Sequence, residues 1–423
     1  MEKENMIAGI AVGDSDTYIS VMQDGRVKNI PGLMDTESIP SAVAIKETRY
    51  LRFGYDAFGC TEEGTVRTSL HKLIREGKVV IGSSVPWSAE EVLTQFLKQQ
   101  RIVLRRCAGN IDRAIFSIPW DFGYCQVQIL KNAACRAGWQ AVRLINETCL
   151  TALACYDKMM VDDGYHGFVI FNIKSDCLEA GYFEAEQGVL ENLGVAGVSF
   201  QQAGESDTGL LTAKLKEVLE LLRGMGAFEY TDGENPAIYN RYKEPGGTKL
   251  CCANKLFLTG EVRNRPELWE ELKRFTGLEA QYIPFQYAAR GAALQGGKLY
   301  GNQKAGDFLL LDATIYSYWL QVEKQPAECV IKQATTIPIR KGIEVEIQDT
   351  GYHGNSLRVQ VFQILGNDLK NQSAVKSYIV PIENTGAFSK GTRWNFSIDI
   401  DENGESGFML TVTDANWNKV FRG

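Results

Sequence analysis

The side chains that can do chemistry are few and unevenly placed. Only three histidines are present, His71, His166 and His353, and the ten cysteines lack the paired spacings of a zinc ribbon. A Cys/His metal cluster has little to draw on, and no metal site is expected. Cys125, Cys135, Cys149, Cys155 and Cys177 fall on apolar helix or strand positions, where a buried, reduced thiol without a redox role is expected. What remains is Glu147, immediately before a helical run, and two short polar turns, Gly13-Asp14-Ser15-Asp16 and Lys174-Ser175-Asp176, each set between two apolar stretches. The meaning of a carboxylate, an ammonium and turn amides depends on the elements that bring them together.

Residues 6–12 form a short apolar run into the first turn, and the β-branched run 17–22 leaves it, ending at Asp24-Gly25; this predicts a β-hairpin. The pattern recurs mid-chain, with strands over 167–173 and 178–184 around the Lys174-Ser175-Asp176 turn. Between the copies, Ser88-Ala89-Glu90-Glu91 is a capping box opening a helix with Val92, Leu93, Phe96 and Leu97 on one face. Strands over 114–118 and 141–145 alternate with helices over 126–137 and 148–159. After the second copy come a helix over 210–222, a strand over 255–259 and helices over 266–275 and 287–295. Two similar halves of alternating strands and helices predict an α/β architecture with a cleft between the halves.

The pattern changes after Gly301. Ile343, Val345, Ile347 and Leu357, Val359, Val361 alternate with period two, separated by turn dipeptides such as Asn403-Gly404. This predicts a separate β-sandwich over 313–423 after an α/β domain over 1–303. The joining segment, 304–312, contains Asp307-Phe308-Leu309-Leu310-Leu311-Asp312, too apolar for a solvated linker and expected to dock. Across 423 residues, 45 Lys plus Arg face 52 Asp plus Glu, a net charge of -7 that argues against a broad grip on nucleic acid or an anionic membrane. With 44% hydrophobic and 23% charged residues the composition is that of a globular protein. No signal peptide and no membrane helix are read, so a cytoplasmic location is expected.

Taken in order, several strings resemble the heat-shock protein 70 family, the DnaK-like chaperones, along nearly the whole chain. Gly9-Ile10-Ala11-Val12-Gly13 resembles the family's first phosphate hairpin, and Ile39-Pro40-Ser41-Ala42-Val43 its next strand. Ser117-Ile118-Pro119 and Ile145-Asn146-Glu147 resemble two later segments. Leu258-Thr259-Gly260-Glu261-Val262-Arg263 resembles the adenosine motif, and Ala289-Arg290-Gly291-Ala292-Ala293-Leu294-Gln295-Gly296-Gly297 the helix closing the ATPase domain. The acidic Leu-rich linker, Thr335-Thr336-Ile337-Pro338 and Phe396-Ser397-Ile398-Asp399-Ile400-Asp401-Glu402-Asn403-Gly404 resemble the family's linker and peptide-binding β-domain. The resemblance implies an actin-like (ribonuclease H-like), two-lobed ATPase-type domain that controls peptide affinity in a β-sandwich through the linker. It makes Gly13, Ser15, Lys174, Gly260 and Arg263 candidates for binding ATP or ADP, and Leu309, Leu310 and Leu311 the interdomain linker. Leu320, Val345, Leu357 and Val359 align approximately with its peptide cleft, although the same period-two positions suit plain sandwich core equally well. Tyr316, Tyr318 and Trp319 are bulky where the family tends to carry small residues.

Three departures accompany the resemblance. The stretch 204–258 is much shorter than in the family, which implies reduced outer subdomains, and a β-domain running to Gly423 carries the expectation that the helical lid is absent. The phosphate and magnesium residues have also changed chemistry. The family's first-hairpin Asp is Ala11, its Thr pair Asp14-Ser15, its catalytic Lys His71 and its second-hairpin Asp Asn172. Its glycine run is Lys174-Ser175-Asp176, followed by Cys177 for a Thr and Glu179 for the later Asp. Glu147 alone is retained as a catalytic candidate, and without its partners it reads as a structural group that caps or pairs at a helix start. Asp14 places a carboxylate where phosphate oxygens would sit. Hydrolysis and the magnesium site therefore read as lost, with Lys174 either a metal-replacing ammonium or an ordinary solvated turn lysine. The expectation is a divergent chaperone or pseudo-chaperone that binds extended polypeptide or a protein partner through its β-domain. The alternatives are an ATP-dependent chaperone with a rebuilt site, a structural subunit of an intact relative and, least of all, a sugar kinase on the same fold.

Overall fold

Apolar, β-branched runs broken by polar turns build the two hairpins. In a computed structural model of the chain they are Ala8–Val12 with Asp16–Gln23, and His166–Ile173 with Cys177–Glu186, each pair antiparallel. The structure describes residues 6–32, 36–46, 50–60, 65–79, 87–159, 166–174, 176–200, 208–225, 227, 253–260, 266–299, 307–346, 356–365, 374–381, 391–402 and 408–423. Arg263, Ser175, Ile347, His353, the Asn403-Gly404 turn and most of 226–252 lie outside them, so the expected reduction of an outer subdomain does too.

The chain divides into two compact units, one ending at Leu311 and the other comprising Gly123–Cys125 and Asp312–Gly423. In the first unit each hairpin seeds a sheet. Strands run in the order Gln140–Asn146, Arg113–Ile118, Ala8–Val12, Asp16–Gln23, Arg26–Ile30 in one sheet. The other runs Ala280–Tyr282, Lys255–Gly260, His166–Ile173, Cys177–Glu186, Val189–Ser199, Leu309–Leu311. Both place two parallel strands on one side of a hairpin and a third antiparallel strand on the other, so the repeat is one of topology as well as sequence. Between them pack the helices Glu147–Met159 and Gln286–Leu299. Their contact depends on missing side chains: a Cβ at Gly291 would fall 1.8 Å from the Leu150 carbonyl oxygen, and one at Gly9 2.2 Å from that of Ala289.

The capping box forms as expected, with Glu91 N–H donating to Ser88 Oγ and Ser88 N–H to the Glu91 carboxylate, and Val92, Leu93, Phe96 and Leu97 are all buried. Two cysteines differ from expectation. Cys149, Cys155 and Cys177 are buried, but Cys125 and Cys135 are exposed. Their helix, Tyr124–Arg136, buries the arc of Val127, Leu130, Ala133 and Ala134, and the helical repeat turns both thiols away from it. The linker leucines dock as a strand. Leu309, Leu310 and Leu311 pair in parallel with Val189, Leu190 and Glu191, and Phe308 is buried in the first unit's core.

The second unit has two four-stranded antiparallel sheets, ordered Glu328–Ile331, Ser317–Val322, Ser356–Ile364, Lys376–Pro381 and Ile339–Glu346, Arg393–Ile400, Phe408–Thr413, Lys419–Arg422. Aromatic pairs join them: Tyr318 meets Phe408 at 5.6 Å between ring centroids, and Tyr378 meets Phe421 at 5.9 Å. Tyr316 and Tyr318 are buried and Trp319 half-buried.

The close helix packing makes a direct prediction. Gly291→Ala must push two backbones apart, and we expect it to lower stability by about 1–3 kcal/mol, as overpacked cores do. Urea unfolding that places the variant level with the parent would show that the helices separate freely.

Candidate functional site

The two hairpin turns face each other, and each is closed by its own backbone. Gly13 N–H donates to Asp16 O at 3.0 Å, and Lys174 N–H donates to Cys177 O at 2.9 Å. A short helix, Leu70–Glu76, supplies partners for both. Ser69 caps it by accepting from Lys72 N–H at 3.1 Å, and its four-residue spacing puts His71 and Arg75 on one face. Buried His71 brings Nδ1 to 2.6 Å from Asp14 Oδ1 and stacks on Phe122 with ring centroids 4.9 Å apart. Arg75 pairs with Asp121 at 2.7 Å and also reaches Asp176 in the second turn.

The third contribution comes from the helix Glu147–Met159. Asn146 Oδ1 caps it, accepting from Thr148 N–H at 2.9 Å and Cys149 N–H at 3.3 Å. Glu147 therefore does not cap: it is fully buried and its Oε2 lies 2.8 Å from Lys174 Nζ and accepts from Asn172 Nδ2 at 2.9 Å. Glu179, also buried, stands opposite Asn172 across the hairpin, accepts from Asn146 Nδ2 at 2.9 Å and lies 3.8 Å from Lys174 Nζ. Lys174 is not a solvated turn lysine, since its side chain is only 4% exposed.

Burial and charge oppose one another at every group. For Lys174 burial disfavours the ammonium, but Glu147 above all, then Cys177, Glu179 and Asp14, hold its pKa well above the ordinary value. For Glu179 burial wins, lifting its pKa to about 8 against the pull of Lys174 and with a further push from Glu147. Burial thus favours the protonated form of Glu179, and the nearest partner of Lys174 is Glu147. Asp14 runs the other way. Burial pushes it up, but the His71 hydrogen bond and charge, with Lys174 and Arg75, take it far below the usual carboxylate range. Burial raises the Cys177 thiol well above its ordinary value despite the adjacent ammonium, so it remains protonated.

Beside this cluster lies a cavity of about 260 Å³, lined among others by Gly13, Asp14, Ser15, Lys174, Gly260 and Phe285. Four of the nucleotide candidates, Gly13, Ser15, Lys174 and Gly260, are thus brought together; Arg263 lies outside the described residues. The Phe285 ring presses on the first turn, so closely that a Cβ at Gly13 would meet Cε1 at 2.6 Å. Tyr18, Tyr282 and Pro284 continue this apolar wall, which the sequence reading missed, as it did the His71–Asp14 and Arg75–Asp121 pairs. Only the spacing of His71 and Arg75 hinted at them.

These residues do not fit hydrated magnesium. The two carboxylates nearest the metal-handling positions face an ammonium, and the hairpin positions that would add two more are Ala11 and Asn172. Among the described residues no group of three or more His, Cys, Asp or Glu is arranged to hold a metal ion. The four peptide-cleft candidates lie in the second unit, all buried: Leu320 on one central strand, Leu357 and Val359 on its neighbour, and Val345 on the opposite sheet. No helix among the described residues is long and apolar enough to cross a membrane.

Residues 254–417 match the family model of the Hsp70 proteins. The matched stretch takes in the strand Lys255–Gly260, the helix Gln286–Leu299, the linker strand and most of the second unit. Over that stretch the chain is similar to the Hsp70 proteins.

The charge cluster predicts two outcomes. Lys174→Met strands a buried carboxylate and is expected to cost about 3–5 kcal/mol in urea unfolding, with much of that recovered when Glu147→Gln is added. Because the folded-state pKa of Glu179 is raised from 4.5 to about 8, its contribution is fully present below pH 4.5 and is lost as pH rises toward 8. Glu179→Gln should therefore flatten the fall in unfolding midpoint across that window; an unchanged slope would assign the proton elsewhere.

Proposed function

We propose that this is a cytoplasmic Hsp70-like binding protein whose actin-like unit no longer hydrolyses ATP and whose β-unit engages extended polypeptide or a protein partner. One observation carries the loss of hydrolysis: the Lys174 ammonium sits 2.8 Å from Glu147 inside the carboxylate cluster. Phosphoryl transfer draws on metal-held carboxylates and a cation free to meet developing charge. Here the cation is committed to the carboxylates, and a dication brought among them would be repelled by it. The first turn adds the Asp14 carboxylate, held ionised, against any phosphate entering over Gly13.

The binding half of the proposal rests on the Hsp70 match through the β-unit and on its strand edges. Leu320, Val345, Leu357 and Val359 fill the interior, which favours recognition along an edge over insertion between the sheets. Lys376–Pro381 is an edge strand among the described residues, and its Ile379 is 58% exposed. An extended peptide adding to that edge would gain main-chain hydrogen bonds and an apolar contact with Ile379.

Nucleotide and peptide assays test the two halves separately. We expect no ATP turnover with magnesium and no thermal stabilisation by ATP or ADP, where binding at a hundredfold excess over Kd would add about 2.7 kcal/mol. Turnover abolished by Glu147→Gln would overturn the first half. Fluorescence anisotropy with a labelled, extended apolar peptide should report binding that Ile379→Asp weakens by about tenfold, near 1.4 kcal/mol; no peptide affinity together with co-purification of an intact relative would favour a structural subunit instead.

A further inference from the structure

We infer that the cavity between the two hairpin turns takes a small organic cation, a primary amine carried on a flat apolar or aromatic body, in place of a polyanion. The inference rests on the loss of nucleotide chemistry proposed above and asks what the altered cavity suits.

Two buried oxygens at its lining have no hydrogen-bond partner, Asn172 Oδ1 and Asp14 Oδ2; the lining Lys174 Nζ makes no hydrogen bond of good geometry either, but it is ion-paired with Glu147 at 2.8 Å. Asn172 is 1% exposed, and its orientation is fixed by chemistry. Its amide nitrogen donates to Glu147 Oε2 at 2.9 Å, which turns the acceptor oxygen the other way, toward Gly260. Asp14 is fixed in the same manner, one oxygen meeting His71 and the other left over. An unpaired buried acceptor costs about 1–3 kcal/mol, which a ligand bringing N–H donors would relieve and a ligand bringing further acceptors would not.

The charges around the cavity point the same way. Asp14 and Asp16 line it, and the lining ammonium, Lys174, is paired with Glu147 at 2.8 Å. The remaining wall, Tyr18, Tyr282, Pro284 and Phe285, offers ring faces to the body of a ligand and a cation–π surface to its head. At about 260 Å³ the space falls just short of drug-sized pockets, which start near ~300 Å³, so the ligand is compact.

The test uses the full chain and one molecular body carrying three charges: tyramine, the neutral 2-(4-hydroxyphenyl)ethanol and 4-hydroxyphenylacetate. Benzylamine and agmatine add other amine shapes, and ATP serves as the polyanion. Thermal unfolding and calorimetry should give amine binding that exceeds that of the matched alcohol by about tenfold or more, and none for the carboxylate. Asp14→Asn should remove that preference, with Asn172→Ala as a second variant should the first not fold; the charge series on the unaltered chain is decisive without either. If no amine binds at about 10 mM while ATP also fails to bind, this inference alone falls. If ATP or the carboxylate binds as tightly as the amines, the inference falls, and ATP turnover would take the proposed function with it.

Discussion

The first unit is organised around one ammonium. Lys174 Nζ, carried on a hairpin turn and almost fully buried, depends chiefly on Glu147 at the start of a helix, with Glu179 3.8 Å away across the hairpin. A buried cation in such a place costs several kcal/mol unless paired and hydrogen-bonded. Its neighbours are accordingly arranged with little freedom. Asn146 caps the Glu147 helix while donating to Glu179, and Asn172 donates to Glu147. Each asparagine couples a backbone end or a strand to the ion pair, so the cluster fixes where the helix begins relative to the second sheet.

The duplicated hairpin makes the arrangement geometrically available. Two sheets of the same order each present a tight turn at the same end, with strands and helices packed close enough that Gly9 and Gly291 cannot carry a side chain without displacing backbone. In such a scaffold the identity of a few turn residues decides the chemistry of the space between. Asp14 in one turn and Lys174 in the other have opposite charges, and each takes a partner from a helix, His71 for the first and Glu147 for the second.

Much of this was legible in sequence. The recurrence of an apolar strand, a polar turn and a second strand located both hairpins, and Ser88-Ala89-Glu90-Glu91 located the long helix, because local hydrogen bonding and periodicity fix such elements. The apolar linker was readable as a docked segment, and it docks by pairing with Val189–Glu191 and burying Phe308, while Leu309 stays 54% exposed. The fate of charged side chains was not readable. A lysine in a turn is solvated by default, and only the long-range pairing of residue 174 with residues 147 and 179 places it in the interior. Phe285 and Tyr18 likewise meet from opposite ends of the first unit, 6.2 Å apart between ring centroids, a contact with no local signature. Cys125 and Cys135 were misread because apolar neighbours in sequence do not fix which arc of a helix is covered.

Arg75 has a mechanical consequence. It belongs to the helix that follows the first hairpin, yet one of its nitrogens holds Asp176 in the turn of the second, while another holds Asp121. The two halves are thereby latched from within. To swing apart they must separate ions in a partly dry cleft, and a ligand widens a cleft only by as much as it prefers the widened state. Any movement that parts the two turns must therefore also part Arg75 from Asp176, so the cleft's width is tied to one side chain of the first half.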